Sequence, residues 1–423
     1  MTTIYIECST TINSNFCTGI QRVVRCILEH SDLVADELNI KCVPVVLRGG
    51  RLFLVPIKSQ RGESFLLKLI KLKIKIKSLY PKILYKPFYF IVTPIYSFIL
   101  NSIGRYRLQE VGADLEITSE FIKKSGDTDN ILLLLDSTWL NSIWPAVDKF
   151  RSGGGRVTAV LYDLIPFTHP DTVEEITRSH HTSFWLKVPE HVDSVICISK
   201  TVRQQFIEWQ DQQKLKRKIA ADKVKWFYLG AELSSEDPVI NVLGSALPSF
   251  LMVGSVEPRK NHQFVLDVFD QLWADGLAVQ LVIVGCNGWK SEQLIKRIEG
   301  HAEYNKKLYL IRNASDRDLM GLYNHSNALI MSSIAEGFGL PIVEAMERDI
   351  DVICSDIPVF REVGGEWPTY FSLDDKNSLA KAIQNKLTSN ENKRASGKQS
   401  EKWMTWKEST LMLLRKVSFN ESE

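Results

Sequence analysis

At 423 residues the chain is too long for one compact core and fits two domains of roughly 150 to 200 residues with a remainder. Hydrophobic residues at 44% and charged residues at 24% are those of an ordinary soluble protein, and a net charge of +2 argues against nucleic acid as the partner of the whole chain. Seven scattered cysteines, odd in number and nowhere spaced Cys-x-x-Cys, give neither a disulfide framework nor a zinc site and suit a reducing cytoplasm. The opening stretch MTTIYIECSTTINSNF has no basic run ahead of a long apolar one, so it does not read as a secretory signal.

In chain order, apolar runs at 4–6, 42–47, 131–135, 157–161, 195–198 and 224–229 read as strands, with helical patterns between most of them. From residue 250 the alternation is cleaner, with runs at 250–253, 281–284, 308–311, 328–331 and 352–354. Repeated strand, helix, strand units predict an α/β fold of two doubly wound, Rossmann-like domains with parallel sheets facing a central cleft. The stretch 232–249, with two prolines, reads as the linker. The expected organisation is a first domain over 1–240, a second over 245–395, and a helical tail over 396–423 suited to packing back on the first. Ligands of open parallel sheets bind beyond the carboxyl ends of the strands, so the residues that follow each strand are the ones to inspect.

One segment departs from this pattern. Residues 56–110 carry eleven Lys or Arg against two Glu, in stretches such as FLLKLIKLKIKIK and PFYFIVTPIYSFILNSIG. The second stretch is uncharged over 18 residues, near the minimum for a bilayer span, but Pro87, Pro94 and Asn101 argue against a regular spanning helix. A basic, apolar and aromatic insert is read as lying on an anionic membrane face; the alternative is an insert packed on the first sheet with its lysines solvated.

The sharpest motif is Glu336-Gly337-Phe338-Gly339-Leu340-Pro341-Ile342-Val343-Glu344, which follows the strand at 328–331. Gly337 and Gly339 let a backbone approach a ligand closely, and Pro341 fits a first helical turn whose free N–H groups favour phosphate. Glu344 can accept from both hydroxyls of a ribose, and Glu336 from those of a transferred sugar. The plain alternative is a helix start with acidic residues near it. Gly254-Ser255-Val256-Glu257-Pro258-Arg259-Lys260 follows the first strand of the second half. A departing nucleoside diphosphate builds negative charge that a metal or fixed cations must stabilise, and Arg259 with Lys260 supplies two cations without a metal. Of the two Asp-x-Asp triplets a metal enzyme would need, Asp127-Thr128-Asp129 precedes its strand and Asp316-Arg317-Asp318 sits at a helix start, so both read as structural. Gly19 in TGIQR, after the first strand, either admits the diphosphate to the backbone or makes a turn. Asp163 in YDLIPF is open between the acceptor's base and a cap. His180 and His181 fall within a helical stretch and read as surface or packing residues.

Assembled, these residues resemble the family 4 retaining glycosyltransferases, whose mark is the Glu, seven residues, Glu spacing of Glu336 and Glu344. TGIQRVVR, YDLIPF, ICISKTV, FYLGAEL, LMVGSVEPRKNH, IVGCNGW, EGFGLPIVEAM and IPVFREVGG look like segments of bacterial polysaccharide mannosyltransferases, in the same order. The insert and the last residues have no counterpart. The resemblance implies a GT-B fold, with Arg259 and Lys260 on the donor diphosphate, Glu344 on the ribose, and Glu336 with Gly337, Phe338, Gly339 and Leu340 on the hexose. Gly254 and Gly19 would line the donor from either side. Two departures stand out: Ser255 replaces an Arg that many members carry, and Tyr162 replaces a His before Asp163. The implied chemistry is front-face transfer without metal or cofactor, from a nucleotide sugar such as GDP-mannose to a glycan or lipid-linked glycan in surface polysaccharide synthesis. A cytoplasmic enzyme on the inner membrane face is expected. The competing readings are a sugar-nucleotide 2-epimerase on the same architecture and a silent membrane-bound subunit of a polysaccharide assembly complex.

Overall fold

The structure, a computed structural model, describes residues 1–13, 18–55, 115–124, 129–232, 247–388 and 402–419. The membrane reading of 56–110, the triplet residues Asp127 and Thr128, and most of the linker at 232–249 lie outside these. No helix among the described residues is long and apolar enough to cross a membrane.

The first sheet has seven strands in the order β3-β2-β1-β4-β5-β6-β7. They are β1 Thr2–Glu7, β2 Ile40–Arg48, β3 Arg51–Leu54, β4 Asp129–Leu134, β5 Arg156–Leu161, β6 Ser194–Cys197 and β7 Val224–Trp226. All pairs are parallel except β2 with β3, a tight hairpin turning at Gly49 and Gly50, both at positive φ. That hairpin escapes a reading based on apolar runs because Arg51 opens β3 and only four residues form it. The second sheet has six parallel strands in the order β10-β9-β8-β11-β12-β13. These are β8 Ser249–Val253, β9 Gln280–Val284, β10 Leu308–Ile311, β11 Ala328–Met331, β12 Asp351–Ser355 and β13 Thr369–Phe371. β13, with three residues, carries too little apolar sequence to be found beforehand.

Strands β4 and β9 are buried almost throughout, as a parallel sheet covered by helices on both faces requires. Strand order reverses between β1 and β4 in the first sheet and between β8 and β11 in the second. Such a reversal splays the flanking loops and opens a crevice at the carboxyl ends. The segments after β8 and β11 are therefore neighbours.

The helix Trp406–Ser418 packs against Gly19–Leu38 of the first lobe. Its start is fixed by a reciprocal capping box between Thr405 and Glu408. The Trp406 amide donates to Glu232 Oε2 at 2.7 Å, and Ser409 Oγ donates to the Tyr228 carbonyl at 2.6 Å. One apolar cluster runs through both lobes, from Ile4 and Tyr162 through Phe338 to Trp406 and Leu413.

Candidate active site

Beyond β8 the chain turns at Gly254, φ 139°, a conformation that favours glycine. A Cβ there would stand 3.2 Å from Lys260 Cε, so the glycine also makes room for the lysine stem. A short helical turn, Pro258–Lys260, then presents the two cations. Beyond β11 the loop is stitched to that turn: Ser332 Oγ donates to the Lys260 carbonyl at 2.7 Å, and the Ile334 amide donates to the Arg259 carbonyl at 2.9 Å.

Both cations close on one carboxylate. Lys260 Nζ lies 2.6 Å from Glu336 Oε1 and Arg259 lies 2.6 Å from Oε2, while Ser333 Oγ donates to Oε1 at 2.7 Å. Arg259 also reaches Glu257 at 2.6 Å and the Ala335 carbonyl at 2.9 Å. Only 10% of the Glu336 side chain is exposed. Burial pushes its pKa up, but Arg259 and Lys260 outweigh burial and hold it down at about 2. Arg259 is driven the opposite way: burial lowers its pKa, and Glu336, Glu257 and Asp163 together raise it above the usual arginine value. The sequence assigns Glu336 to the sugar and the cations to the diphosphate; in the structure the three groups are paired with one another.

Glu344 lies in the helix Leu340–Met346 and is 1% exposed. Tyr323 donates to Oε2 at 2.8 Å, and Arg22 from the first lobe forms an ion pair with Oε1. Gly339 caps this helix at φ 106°, and Pro341 stands in its first turn. The ring of Phe338, 3% exposed, packs with Tyr228 and Trp403 in the shared core, so only its backbone is left to meet a donor. Leu340 likewise packs against that core.

Gly337 marks where the lobes touch. A Cβ built on it would lie 2.0 Å from the Tyr162 carbonyl oxygen, and Ser199 Oγ donates to the Gly337 carbonyl at 3.0 Å. No larger residue fits there without separating the lobes.

Residues 236–403 match the family model described as "Glycosyl transferases group 1". The chain carries a group 1 glycosyl transferase domain. Over 303 residues it is 34% identical to the "Serotype-specific mannosyltransferase WbdA" of Escherichia coli, a match covering 68% of this chain and 37% of WbdA. It is 29% identical over 230 residues to the "O-antigen chain mannosyltransferase RfbU" of Salmonella typhimurium, covering 54% of this chain and 60% of RfbU. The matches thus span less than two thirds of each of these relatives. Among solved structures, sucrose-phosphate synthase from Thermosynechococcus elongatus superposes with a TM-score of 0.60 at 17% identity, covering 98% of both chains. HepE from Anabaena, in complex with UDP and glucose, superposes at 0.55 and 12% identity, covering 98% of this chain and 95% of that one. With the two sheet orders above, these likenesses make the fold GT-B.

On the first-lobe side of the cleft, Asp163 faces the cation cluster. Its Oδ1 accepts from the Ile165 amide at 3.0 Å, where the helix Ile165–Thr168 begins. Burial raises its pKa, and Arg259 offsets part of that rise. Behind it His181, 4% exposed, is a packing residue held neutral: burial lowers its pKa to about 3, against a hydrogen bond to the Asp163 backbone. Gly19 opens the helix Gly19–Leu38, with nothing within 4 Å of a Cβ built on it. The Asp-x-Asp residues have structural duties: Asp129 pairs with Arg156, and Asp318 completes a capping box with Ser315.

Several residues escape sequence reasoning. Glu362 accepts from the amides of Lys200 and Thr201 at 2.6 and 2.7 Å, capping a first-lobe helix from the second lobe. Nothing in its sequence context signals that contact, and Tyr323 is equally silent. Glu7 and Asp136 do follow the rule of inspecting strand ends: they lie at the ends of β1 and β4, at the reversal of the first sheet, and are 0% and 1% exposed. Ser9 and Thr138 bond the two oxygens of Glu7 at 2.9 and 2.8 Å. Burial, with Asp136 close by, raises the Glu7 pKa.

Proposed function

We propose that the chain is a retaining, metal-independent mannosyltransferase that moves mannose from GDP-mannose to a glycan acceptor in surface polysaccharide synthesis. The observation that carries this reading is the convergence of Arg259 and Lys260 on Glu336 at the reversal point of the second sheet. Two fixed cations beside a sugar-reading carboxylate are what cleavage of a glycosyl diphosphate needs. The relatives described as mannosyltransferases support mannose as the group transferred, and HepE, solved with UDP and glucose, shows the same fold holding a nucleotide and a sugar.

On this reading the donor diphosphate takes N–H groups of Arg259 and Lys260, the ribose hydroxyls meet Glu344, and the mannose hydroxyls meet Glu336. The backbone of Gly337 and Gly339 lines the sugar, with Gly254 and Gly19 on either side of the diphosphate. The bond from the anomeric carbon to the phosphate oxygen breaks as an acceptor oxygen attacks the same face, which keeps the configuration. The acceptor proton passes to the departing phosphate, whose charge the two cations stabilise, while Asp163 orients the acceptor hydroxyl. Glu344 lies near enough to the first lobe to form an ion pair with it, so bound donor would lie where the two lobes meet.

The expected site of action is the cytoplasmic face of a membrane. Its support is composition: the eleven basic residues among 56–110 would bind anionic lipid. Neutralising Lys71, Lys73, Lys75 and Lys77 should release the protein from anionic vesicles; unchanged binding would remove the membrane assignment.

Mass spectrometry of products from a panel of nucleotide sugars, with and without lipid-linked acceptor, tests the reaction. Mannosylated acceptor from GDP-mannose, formed equally well in EDTA, is the expected result. Epimerised donor without acceptor would establish the 2-epimerase reading, absence of any turnover the silent-subunit reading, and rescue by added manganese or magnesium would overturn the metal-free assignment.

A further inference from the structure

Glu344 is sealed in this chain. Each carboxylate oxygen has a protein partner, Arg22 on Oε1 and Tyr323 on Oε2, and the side chain is 1% exposed. Ribose hydroxyls cannot reach a carboxylate closed to that degree, so a nucleoside-bound state requires one partner to leave. The two partners are not equivalent. Tyr323 is 0% exposed, lies in Asp316–His325 on the same lobe as Glu344, and belongs to the shared apolar core. Arg22 reaches in from Gly19–Leu38 of the opposite lobe and keeps 22% of its side chain exposed. It can return to water by a side-chain rotation or a small parting of the lobes, its apolar stem letting the charged head reach solvent.

We propose that Arg22 occupies the ribose seat on Glu344 in the empty enzyme and leaves it when nucleoside binds. Arg22 is thus a gating residue that competes with the nucleotide, rather than a donor ligand. This inference rests on the reading of Glu344 as the ribose residue. Its consequence is that part of the nucleoside binding energy goes into breaking a cross-lobe ion pair, so occupancy of the donor site is coupled to the position of the first lobe.

Two uncharged or charged probes, guanosine and GDP, separate the possibilities by calorimetry. Arg22→Met keeps the apolar stem and removes the charge, and should tighten guanosine about tenfold, with GDP tightening by a similar factor. Arg22→Lys should lie near the wild type, and Tyr323→Phe should give no such tightening. In a Glu344→Gln background Arg22→Met should change neither affinity. A readout on the unaltered protein guards against misfolded variants. Salt screens a pair this buried only weakly, so the readout is chemical: phenylglyoxal should modify Arg22 faster in the wild type with saturating guanosine than without it, read by mass spectrometry. Unchanged or weakened guanosine binding in Arg22→Met, together with Arg22 modification in the wild type that guanosine does not speed, would overturn the gate. Weakened GDP binding with unchanged guanosine would make Arg22 a diphosphate ligand instead. If Glu344→Gln leaves guanosine binding unchanged in an Arg22→Met background, where no cation competes for the carboxylate, the ribose assignment itself fails, an outcome distinct from the others.

Discussion

Replacing Glu336 by Gln should make the protein bind nucleoside diphosphate more tightly while turning over more slowly. Two cations each lie 2.6 Å from Glu336, so a diphosphate arriving without a sugar meets charges already neutralised by protein. Each charge-assisted contact is worth roughly 1.5 to 3 kcal/mol net. The cations retain other N–H donors for phosphate, so only part of two such contacts is recovered when the carboxylate becomes an amide. A gain of roughly 1.4 to 2.8 kcal/mol, a 10- to 100-fold lower Kd for GDP, is the expected size. Mannose hydroxyls meanwhile lose their anionic partner, and kcat should fall on the order of 100-fold, the scale of a lost transition-state contact. Calorimetry with GDP and initial rates with GDP-mannose measure both. A folded Glu336→Gln protein with unchanged or weaker GDP binding would refute the competition, and one with full kcat would refute the sugar-reading role.

Lys260→Ala should lower kcat on the order of 100-fold and also weaken GDP, because the diphosphate is charged before and during reaction; initial rates across donor concentrations would show both. Glu336 should also stabilise the fold in a pH-dependent way. Its pKa falls from the usual 4.5 to about 2 in the folded chain, so the contribution is full above about 4.5 and lost as pH falls toward 2. That difference corresponds to roughly 3 kcal/mol, and urea midpoints of the wild type should drop over this window while those of Glu336→Gln stay flatter. An equal acid slope in both proteins would contradict the ion-paired geometry. Gly337→Ala places a methyl group 2.0 Å from the Tyr162 carbonyl and should part the lobes, cutting kcat roughly 100-fold with a stability loss of about 1 to 3 kcal/mol by thermal melting.

Much of this architecture is legible in the sequence because parallel strands buried on both faces must be apolar throughout. Runs such as 281–284 and 328–331 coincide with β9 and β11 or fall within them. The site residues of the second lobe are legible for a related reason: they follow strands that flank the order reversal, and the glycines beside them mark a backbone with unusual demands. What the sequence hides is pairing. Nothing in the spacing of Arg259, Lys260 and Glu336 says that they neutralise one another, because the two loops meet only once β8 and β11 lie side by side. Arg22 and Glu344, 322 positions apart, meet only when the lobes close. Phe338 shows the converse: its place in a glycine-rich motif suggests a ligand contact, whereas its aromatic ring is drawn into the core with Trp403.

The paired cluster gives the proposed reaction a direction. In the intact donor, hexose hydroxyls can satisfy Glu336 at the moment the diphosphate draws Arg259 and Lys260 away, so the carboxylate is never left buried without partners. Once the sugar has gone to the acceptor, nothing replaces those hydroxyls. An ionised carboxylate with only 10% of its side chain exposed is costly to leave unpaired, and its depressed pKa keeps it ionised near neutral pH. On the proposed roles, Glu336 would therefore reclaim the cations from the remaining diphosphate and weaken its hold on the site. The group assigned to the sugar would thus also help to expel the product, which gives a physical reason for pairing both cations with one acid.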